Sequence, residues 1–282
     1  FAGGLNINEK VFIGGTVGMP ILEYRATRKY TEQDPTNAAN QFDVAFFDDN
    51  LVTRGMGINV KAGVVVKATD NFRFGLAAHT PTFYSLNDNY HAEVGFNDDV
   101  NDVVVHTPND LTYDYALHTP FKLMGSFAYF FGNVNNVESQ KGFLSGDIEY
   151  VNHKASSFRN NSDNSSGNRD YFSGLNTAID NAYKGTVNAR LGAELKFNTF
   201  MARFGGAYYG NPYVDLAGEK GQILQASTGL GYRNRGFFID LGYTHSFGQD
   251  VVFPYRLSSG NFSPASIKNN NSRVLLTLGF KI

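Results

Sequence analysis

The residues that could carry chemistry are few in this chain and are not grouped for catalysis. There is no nucleophile elbow, no phosphate-binding loop and no pair of histidines at i and i+4 that could hold zinc. Cysteine is absent, which excludes thiolate metal sites. The sequence therefore predicts no enzyme, no metal site and no cofactor.

A repeated tripeptide is the most unusual local pattern. The two copies are His79-Thr80-Pro81 and His118-Thr119-Pro120. Proline has no N–H to donate to a β-ladder, so two prolines at similar height on neighbouring strands predict a local break in strand pairing. Such a break is either a bulge that bends the wall, which we favour, or a recess on the pore side that receives ligand.

Charged residues recur on one face of three predicted strands. They are Arg190, Glu194, Lys196, Arg203 and Asp240. We expect them to form an ionic network inside the fold. Structural packing is the favoured interpretation and direct ligand contact is the alternative.

The histidines and the Asn- and Asp-rich segments each have two interpretations. One of the six histidines, His79, His91, His106, His118, His153 and His245, could ligate haem iron, although no paired spacing favours this. Asn and Asp are abundant in residues 87–110 and 159–170 and could hold Ca²⁺, but the EF-hand spacing is missing and solvated loops are the better interpretation.

Along the segments that carry these residues, apolar and polar side chains alternate with a period of two, which is the period of a β-strand. In the last ten residues one face is wholly apolar and the other is mixed. The apolar face comprises Val274, Leu276, Leu278, Phe280 and Ile282. Alternation of this kind is shared by soluble sandwiches and membrane barrels, so it does not separate them.

Connection lengths favour the membrane barrel. The predicted strands are 1–7, 11–26, 50–68, 72–86, 111–131, 142–157, 183–197, 200–213, 221–233, 236–249 and 273–282. Short turns alternate with long polar loops, which occupy 27–49, 87–110, 158–182, 214–220 and 250–272. This alternation is typical of an all-β, antiparallel transmembrane β-barrel of the outer membrane. Apolar runs fall far short of the ~18 residues of a membrane helix, which excludes a helical membrane protein.

Composition limits the partners and the compartment. A formal charge of −2 with scattered Lys and Arg excludes a nucleic-acid interface. The chain opens inside a predicted strand without a signal peptide, and strand parity requires an odd number of further strands before it. We therefore expect residues 1–282 to be the C-terminal two-thirds of a single barrel domain, with a plug and the first strands outside the chain.

Stretches along the whole chain resemble the FadL/TodX family of outer-membrane transport proteins, in its Bacteroidetes-type branch. They are NEKVFIGGTVGMPILEY, TDNFRFGLAAHTPTFYSLNDNY, YALHTPFKLMGSFAYFFG, RLGAELKFNTFMARFGGAYYGNPY, STGLGYRNRGFFIDLGYTHSF and VLLTLGFKI. The resemblance implies fourteen strands, of which about eleven lie here, an N-terminal plug, and ligand passage from an outer pocket to a gap in the wall. The residues of that gap belong to an early strand and are not transferable.

The leading hypothesis is a passive outer-membrane channel of a Gram-negative bacterium for hydrophobic small molecules, fatty-acid-like or aromatic. Outer-membrane lipid and the barrel-assembly machinery are expected partners, the latter because the apolar-aromatic C-terminus resembles an assembly signal. A structural or accessory barrel that docks another envelope protein is one alternative. A haem or other nutrient receptor is the second.

Overall fold

A computed structural model describes residues 1–36, 42–97, 102–106, 110–133, 140–161, 166–214, 221–234, 236–252 and 265–280. Sixteen strands form one antiparallel sheet. Their bounds are β1 Ala2–Ile7, β2 Val11–Gly18, β3 Ile21–Gln33, β4 Val44–Lys67, β5 Phe72–His79, β6 Phe83–Asn97, β7 Asp102–His106, β8 Leu111–His118, β9 Lys122–Gly132, β10 Gln140–Asn152, β11 Ser157–Asn160, β12 Gly185–Phe197, β13 Phe200–Tyr209, β14 Ile223–Asn234, β15 Phe237–Val252 and β16 Ala265–Phe280. A 3₁₀ helix, His153–Ala155, follows β10, and helix α1 spans Ser166–Ala182.

Several of these strands are consecutive pieces of one longer strand. β2 and β3 pair with successive parts of β4 on one side, and β5 and β6 pair with successive parts of β4 on its other side. In the same way β9 and β8 follow one another as parts of one strand, and so do β10 and β11. Counting each such pair as one strand, and leaving the short β7 aside, gives the eleven antiparallel strands that the sequence predicts. β1 and β16 are the first and last of these eleven strands, and they do not pair with each other among the described residues.

The interruptions divide the sheet into two parts. The lower sheet contains β1, β2, β5, β9, β10 and β12 to β16, together with residues 59–67 of β4. The upper sheet contains β3, β6, β7, β8 and β11 with residues 44–58 of β4. β4 is continuous through both, so it fixes which face of the upper sheet continues which face of the lower one.

The lower sheet has an apolar outer face and a mixed, polar inner face. The outer face includes Leu191, Phe204, Leu230 and Leu241, and Leu230 is 65% exposed. The buried hydrophobic residues described are only Leu86, Ala92, Val151, Ile179 and Met201. A soluble sandwich would bury its apolar face, whereas an exposed apolar belt is what a lipid-facing surface requires.

The terminal strand follows the same alternation. Val274, Leu276, Leu278 and Phe280 are exposed on the outer face, and Ile282 lies outside the described residues. Leu275 is also exposed, but it points to the inner face.

The lower ends of the strands join through tight turns. Asn8 and Asn198, both in predicted short turns, have φ values of 52° and 53°. Asn tolerates this left-handed conformation better than most residues, which suits a two- or three-residue hairpin turn. The upper ends therefore carry the long connections.

The prediction that residues 27–49, 87–110, 158–182 and 250–272 are loops is wrong in large part. β3 continues to Gln33, β4 starts at Val44, β6 continues to Asn97 and β16 starts at Ala265. Cross-strand ion pairs support these polar extensions, as between Lys29 Nζ and Asp48 Oδ2 at 2.8 Å. Since such ladders are stable in water, polar sequence alone did not mark the strand ends.

Helix α1 occupies most of 158–182, which was also predicted to be a loop. The Asn176 side chain attaches it to the free edge of β11. Its Oδ1 accepts the Phe158 N–H at 2.8 Å, and its Nδ2 donates to the Phe158 carbonyl at 2.9 Å. This helix depends on tertiary contact, which the weakly amphipathic sequence did not show. No helix among the described residues is long and apolar enough to cross a membrane.

Candidate functional site

Arg203 is the centre of an ion cluster on the inner face. Its Nε lies 2.6 Å from Glu194 Oε2 on β12, and its Nη1 lies 2.5 Å from Asp240 Oδ1 on β15. Glu194 is only 7% exposed. One guanidinium therefore links two carboxylates from strands on either side of it.

The link to Asp240 has to pass over β14, which lies between β13 and β15. Gly231 of β14 leaves room for this contact, because it has no side chain. A Cβ on Gly231 would lie 2.5 Å from Asp240 Oδ1 and 3.4 Å from Arg203 Nη1. The glycine is thus needed for a close approach of side chains, a reason that period-two analysis could not give.

Replacing Gly231 with alanine is therefore expected to push Asp240 away from Arg203 and to destabilise the protein by about 1–3 kcal/mol. Unfolding in detergent would measure this. Gly192→Ala is the matched control, because its Cβ would meet nothing closer than 3.8 Å. If Gly231→Ala caused an equal loss of stability in an Asp240→Ala background, its effect would not depend on the Arg203–Asp240 ion pair, which would contradict this explanation.

Arg190 forms a second, separate cluster. Its Nη1 lies 2.6 Å from Asp147 Oδ1 and its Nη2 lies 3.1 Å from Glu149 Oε1, both on β10. Asn188 Nδ2 donates to the same Glu149 oxygen at 2.8 Å. The predicted single network is therefore two clusters. Asp147 and Glu149 were missed, although their period-two spacing on a predicted strand was a usable signal.

Lys196 lies in register with Met201 at the lower end of the inner face. It belongs to the same alternation as Glu194. The five predicted residues are thus all on the inner face of β12, β13 and β15.

A recess of about 760 Å³ lies on the inner face between the two clusters. Its lining combines Arg190, Glu194, Arg203 and Asp240 with apolar groups such as Phe143 and Leu275. The charged side chains that line this recess are paired with each other, so binding of a solute would not remove water from an unpaired charge.

The two His-Thr-Pro segments face each other across an interruption of the ladder. The register runs from His79 opposite Lys122 to Phe83 opposite His118, and the three residues between on each strand lie outside the ladder. We call these segments, 80–82 and 119–121, the wall break. Pro81 and Pro120 both lie within it.

Threonine side chains provide hydrogen bonds in the wall break, where the β-ladder is interrupted. The Thr82 N–H donates to Thr119 Oγ1 at 2.9 Å, and the Thr119 N–H donates to the Thr82 carbonyl at 3.1 Å. Thr80 Oγ1 accepts the Val60 N–H at 3.0 Å. Hydroxyl groups thus satisfy backbone donors that a regular ladder would pair.

Thr119→Val is expected to destabilise the protein by about 1–3 kcal/mol, because it leaves the Thr82 N–H without its acceptor while keeping the side-chain shape. Unfolding of the purified protein in detergent would measure it. Thr27→Val is the control, since Thr27 makes only a 3.4 Å contact with Asn50 in an exposed position. Equal stability of the two variants would mean that water replaces the Thr119 hydroxyl at no cost.

Odd-numbered and even-numbered residues exchange faces of the sheet across the wall break. His79 lies on the inner face, in register with Lys61 and Lys122. His118 lies on the outer face, with its ring 4.8 Å from that of Phe83. The structure therefore brings the two segments together but places the two histidines on opposite sides.

The interruption extends beyond the two repeats. β2 and β3 separate at Met19-Pro20, and β10 and β11 separate at the 3₁₀ helix His153–Ala155. Their neighbours in the ladders place all four interruptions at one level of the sheet. Pro20 offered a sequence signal for this extension, whereas residues 153–156 contain no proline and offered none.

Metal ligands do not cluster in the parts of the chain that the structure describes, where no group of three His, Asp or Glu side chains could hold an ion.

Comparison with known proteins gives matches at the level of structure alone. No protein-family model matches the chain, and no curated protein matches it by sequence. Among solved structures, the CymD monoaromatic hydrocarbon channel matches with a TM-score of 0.54 at 13% identity, over 88% of this chain and 67% of that one. A FadL homologue of Pseudomonas aeruginosa gives a TM-score of 0.43 at 13% identity, over 99% of this chain and 76% of that one. The chain thus shares its β-barrel fold with CymD, and at 13% identity this likeness shows the fold alone.

Proposed function

We propose that this protein is a passive channel for hydrophobic small molecules, aromatic or fatty-acid-like, in the outer membrane of a Gram-negative bacterium. The inner-face recess of about 760 Å³ is the observation that carries the proposal. It lies behind a wall whose other face is apolar, so the wall separates lipid from a path with polar walls. The printed name of CymD, a monoaromatic hydrocarbon channel, points the same way.

Passage in this account needs no chemistry and no energy input. The Arg190 and Arg203 guanidinium groups are each held by two carboxylates. Such fixed pairs keep the inner wall hydrated but nearly neutral, so that an apolar solute can replace loosely held water beside Phe143 and Leu275. The protein acts as a conduit and not as an enzyme.

The same proposal assigns partners to the outer face and to the terminal strand. Outer-membrane lipid covers the apolar belt, and the barrel-assembly machinery recognises the apolar-aromatic end of β16. Residues 1–282 then form the C-terminal two-thirds of one barrel domain. In this proposal the interrupted level near Pro81 and Pro120 bends the wall beside the ligand path.

Uptake by cells tests the function. Gram-negative cells that lack a hydrophobic-compound channel of their own are given the gene, and the uptake of radiolabelled ethylbenzene, oleate and sucrose is measured. We expect faster uptake of ethylbenzene or oleate and unchanged uptake of sucrose. Unchanged uptake of both hydrophobic compounds by cells that carry the folded protein would refute the proposal.

A further inference from the structure

A second recess lies between helix α1 and the inner face of the upper sheet. We call it the upper recess, and its volume is about 690 Å³, within the range of small-molecule sites. Its apolar lining is Tyr113, Tyr115, Phe158, Tyr171, Phe172 and Leu175. Because β8 and β11 lie above the interruption, this recess is on the side of the long connections, outside the apolar belt.

Aromatic rings form most of its wall. The Tyr115 and Phe158 rings are 5.6 Å apart at 45°, and on α1 the Tyr171 and Phe172 rings are 5.3 Å apart at 78°. Tyr171 is nevertheless 66% exposed. Several aromatic faces thus turn toward a concave space of ligand size, where a ligand would cover them.

The charge in the upper recess is negative. The Asp88 side chain lines it, and no Lys, Arg or His does so among the described residues. Asp88 Oδ1 accepts the Tyr115 hydroxyl at 3.1 Å. This donor is neutral, and Asp88 has no ion-pair partner in the described structure. Asp114 alternates with Tyr113 and Tyr115 along β8, so its side chain points to the outer face, where its Oδ1 accepts an Asn87 amide hydrogen at 2.8 Å.

Neighbouring carboxylates of the upper sheet differ in this respect. Asp48 pairs with Lys29 at 2.8 Å, and Asp49 pairs with Arg28 at 2.9 Å. The lack of a cation at Asp88 is therefore a local property of the recess. Burial, with the Asp88 charge beside it, raises the pKa of Tyr115 to about 12, so this hydroxyl stays a neutral donor.

Four basic side chains lie on neighbouring elements. Arg159 alternates with Phe158 and Asn160 along β11, so its side chain points to the other face of that strand. Arg159 and Arg169 line a neighbouring recess that shares Phe158, Asn160 and Phe172 with the upper recess. Lys61 and Lys122 lie on the lower sheet, and Lys122 is seven residues from Tyr115 along the chain, roughly 23 Å in extended geometry. None of the four forms an ion pair with Asp88 in the described structure.

We propose that the upper recess binds organic cations with an aromatic or alkyl body, such as aryl-ammonium compounds, and disfavours carboxylates. A cation over aromatic faces is attracted by the negative ring face, and the Asp88 carboxylate, which has no cationic partner among the described residues, adds a direct charge attraction. This inference rests on the proposed channel function and narrows its solutes, because a carboxylate such as oleate would be disfavoured at the outer end of the path while an aryl-ammonium compound would be favoured.

Equilibrium dialysis of the purified full-length protein in detergent tests the inference, with a micelle-only chamber to correct for partition. The probes are benzyltrimethylammonium, its neutral isostere neopentylbenzene, and phenylacetate. We expect benzyltrimethylammonium to bind about tenfold more tightly than the neutral isostere, and phenylacetate to bind most weakly. Asp88→Asn should lower the affinity for the cation about tenfold and leave that for neopentylbenzene unchanged.

Asp180→Asn is the matched control, because Asp180 is on α1 but lines the neighbouring recess and not the upper recess. An equal loss in both variants would reveal only a general surface charge and would overturn the inference, as would an Asp88→Asn protein that binds the cation normally. If Asp88→Asn does not fold, Tyr171→Leu on the exposed face of α1 serves instead, with a several-fold loss for the cation expected. Normal cell uptake of ethylbenzene with no charge preference in dialysis would reject this inference and leave the proposed function standing.

Discussion

Replacing Leu276 with arginine is expected to destabilise the folded protein by about 2–4 kcal/mol. Leu276 lies on the outer face near the middle of the apolar belt and is 60% exposed. A charge there would have to leave water for hydrocarbon, and its apolar neighbours offer no partner. Reversible unfolding in lipid vesicles would measure the change.

Leu275→Arg is the matched control, because Leu275 is the adjacent residue, is 69% exposed and points to the inner face. We expect this variant to lose no more than about 1 kcal/mol, since a lumen charge keeps its water. Similar losses at the two positions would show that the assignment of the outer and inner faces is wrong.

Replacing Arg203 with methionine should cost about 3–5 kcal/mol, because the buried Glu194 carboxylate and the half-buried Asp240 carboxylate would both lose their cation. Unfolding of the variant in detergent would measure this loss. A triple variant, Arg203→Met with Glu194→Gln and Asp240→Asn, should recover most of it, because no uncompensated charge remains.

Arg25→Met is the control for an exposed pair. Arg25 lies 2.6 Å from Glu23 with both side chains largely in solvent, so its loss should cost less than about 1 kcal/mol. Equal effects of Arg203→Met and Arg25→Met, or no recovery in the triple variant, would mean that the Arg203 cluster is not a buried structural element.

The alternation of side chains made the faces of the lower sheet predictable. Residues such as Arg190 and Arg203 fall on the inner face, and Leu276 falls on the outer face, because a strand has a strict period of two. The count of eleven strands followed from turn residues such as Asn8 and Asn198. These features depend on local sequence, which is why the fold class could be inferred without coordinates.

Features that depend on contacts between distant residues were not predictable. Helix α1 is anchored by Asn176 to the backbone of Phe158, eighteen residues away. The Arg203 to Asp240 pair needs the space above Gly231 on a third strand. The upper recess exists only because α1 folds back over β8 and β11.

The wall break lies between these two cases. The repeated prolines indicated where pairing would be interrupted, but the faces of His79 and His118 depend on how many residues each interruption adds. The structure places these histidines on opposite faces.

Blocking the inner recess with a thiol reagent tests whether solutes pass along the inner face, and the absence of cysteine from the sequence restricts the modification to the introduced residue. Ser227 lines the inner face of β14, and its neighbour Thr228 points to the outer face. Cells that carry Ser227→Cys or Thr228→Cys are treated with a bulky thiol reagent, and labelled ethylbenzene uptake is measured before and after. We expect modification at position 227 to reduce uptake to that of cells without the protein, and modification at position 228 to leave it unchanged. Full uptake after complete modification at position 227 would contradict a ligand path along the inner face.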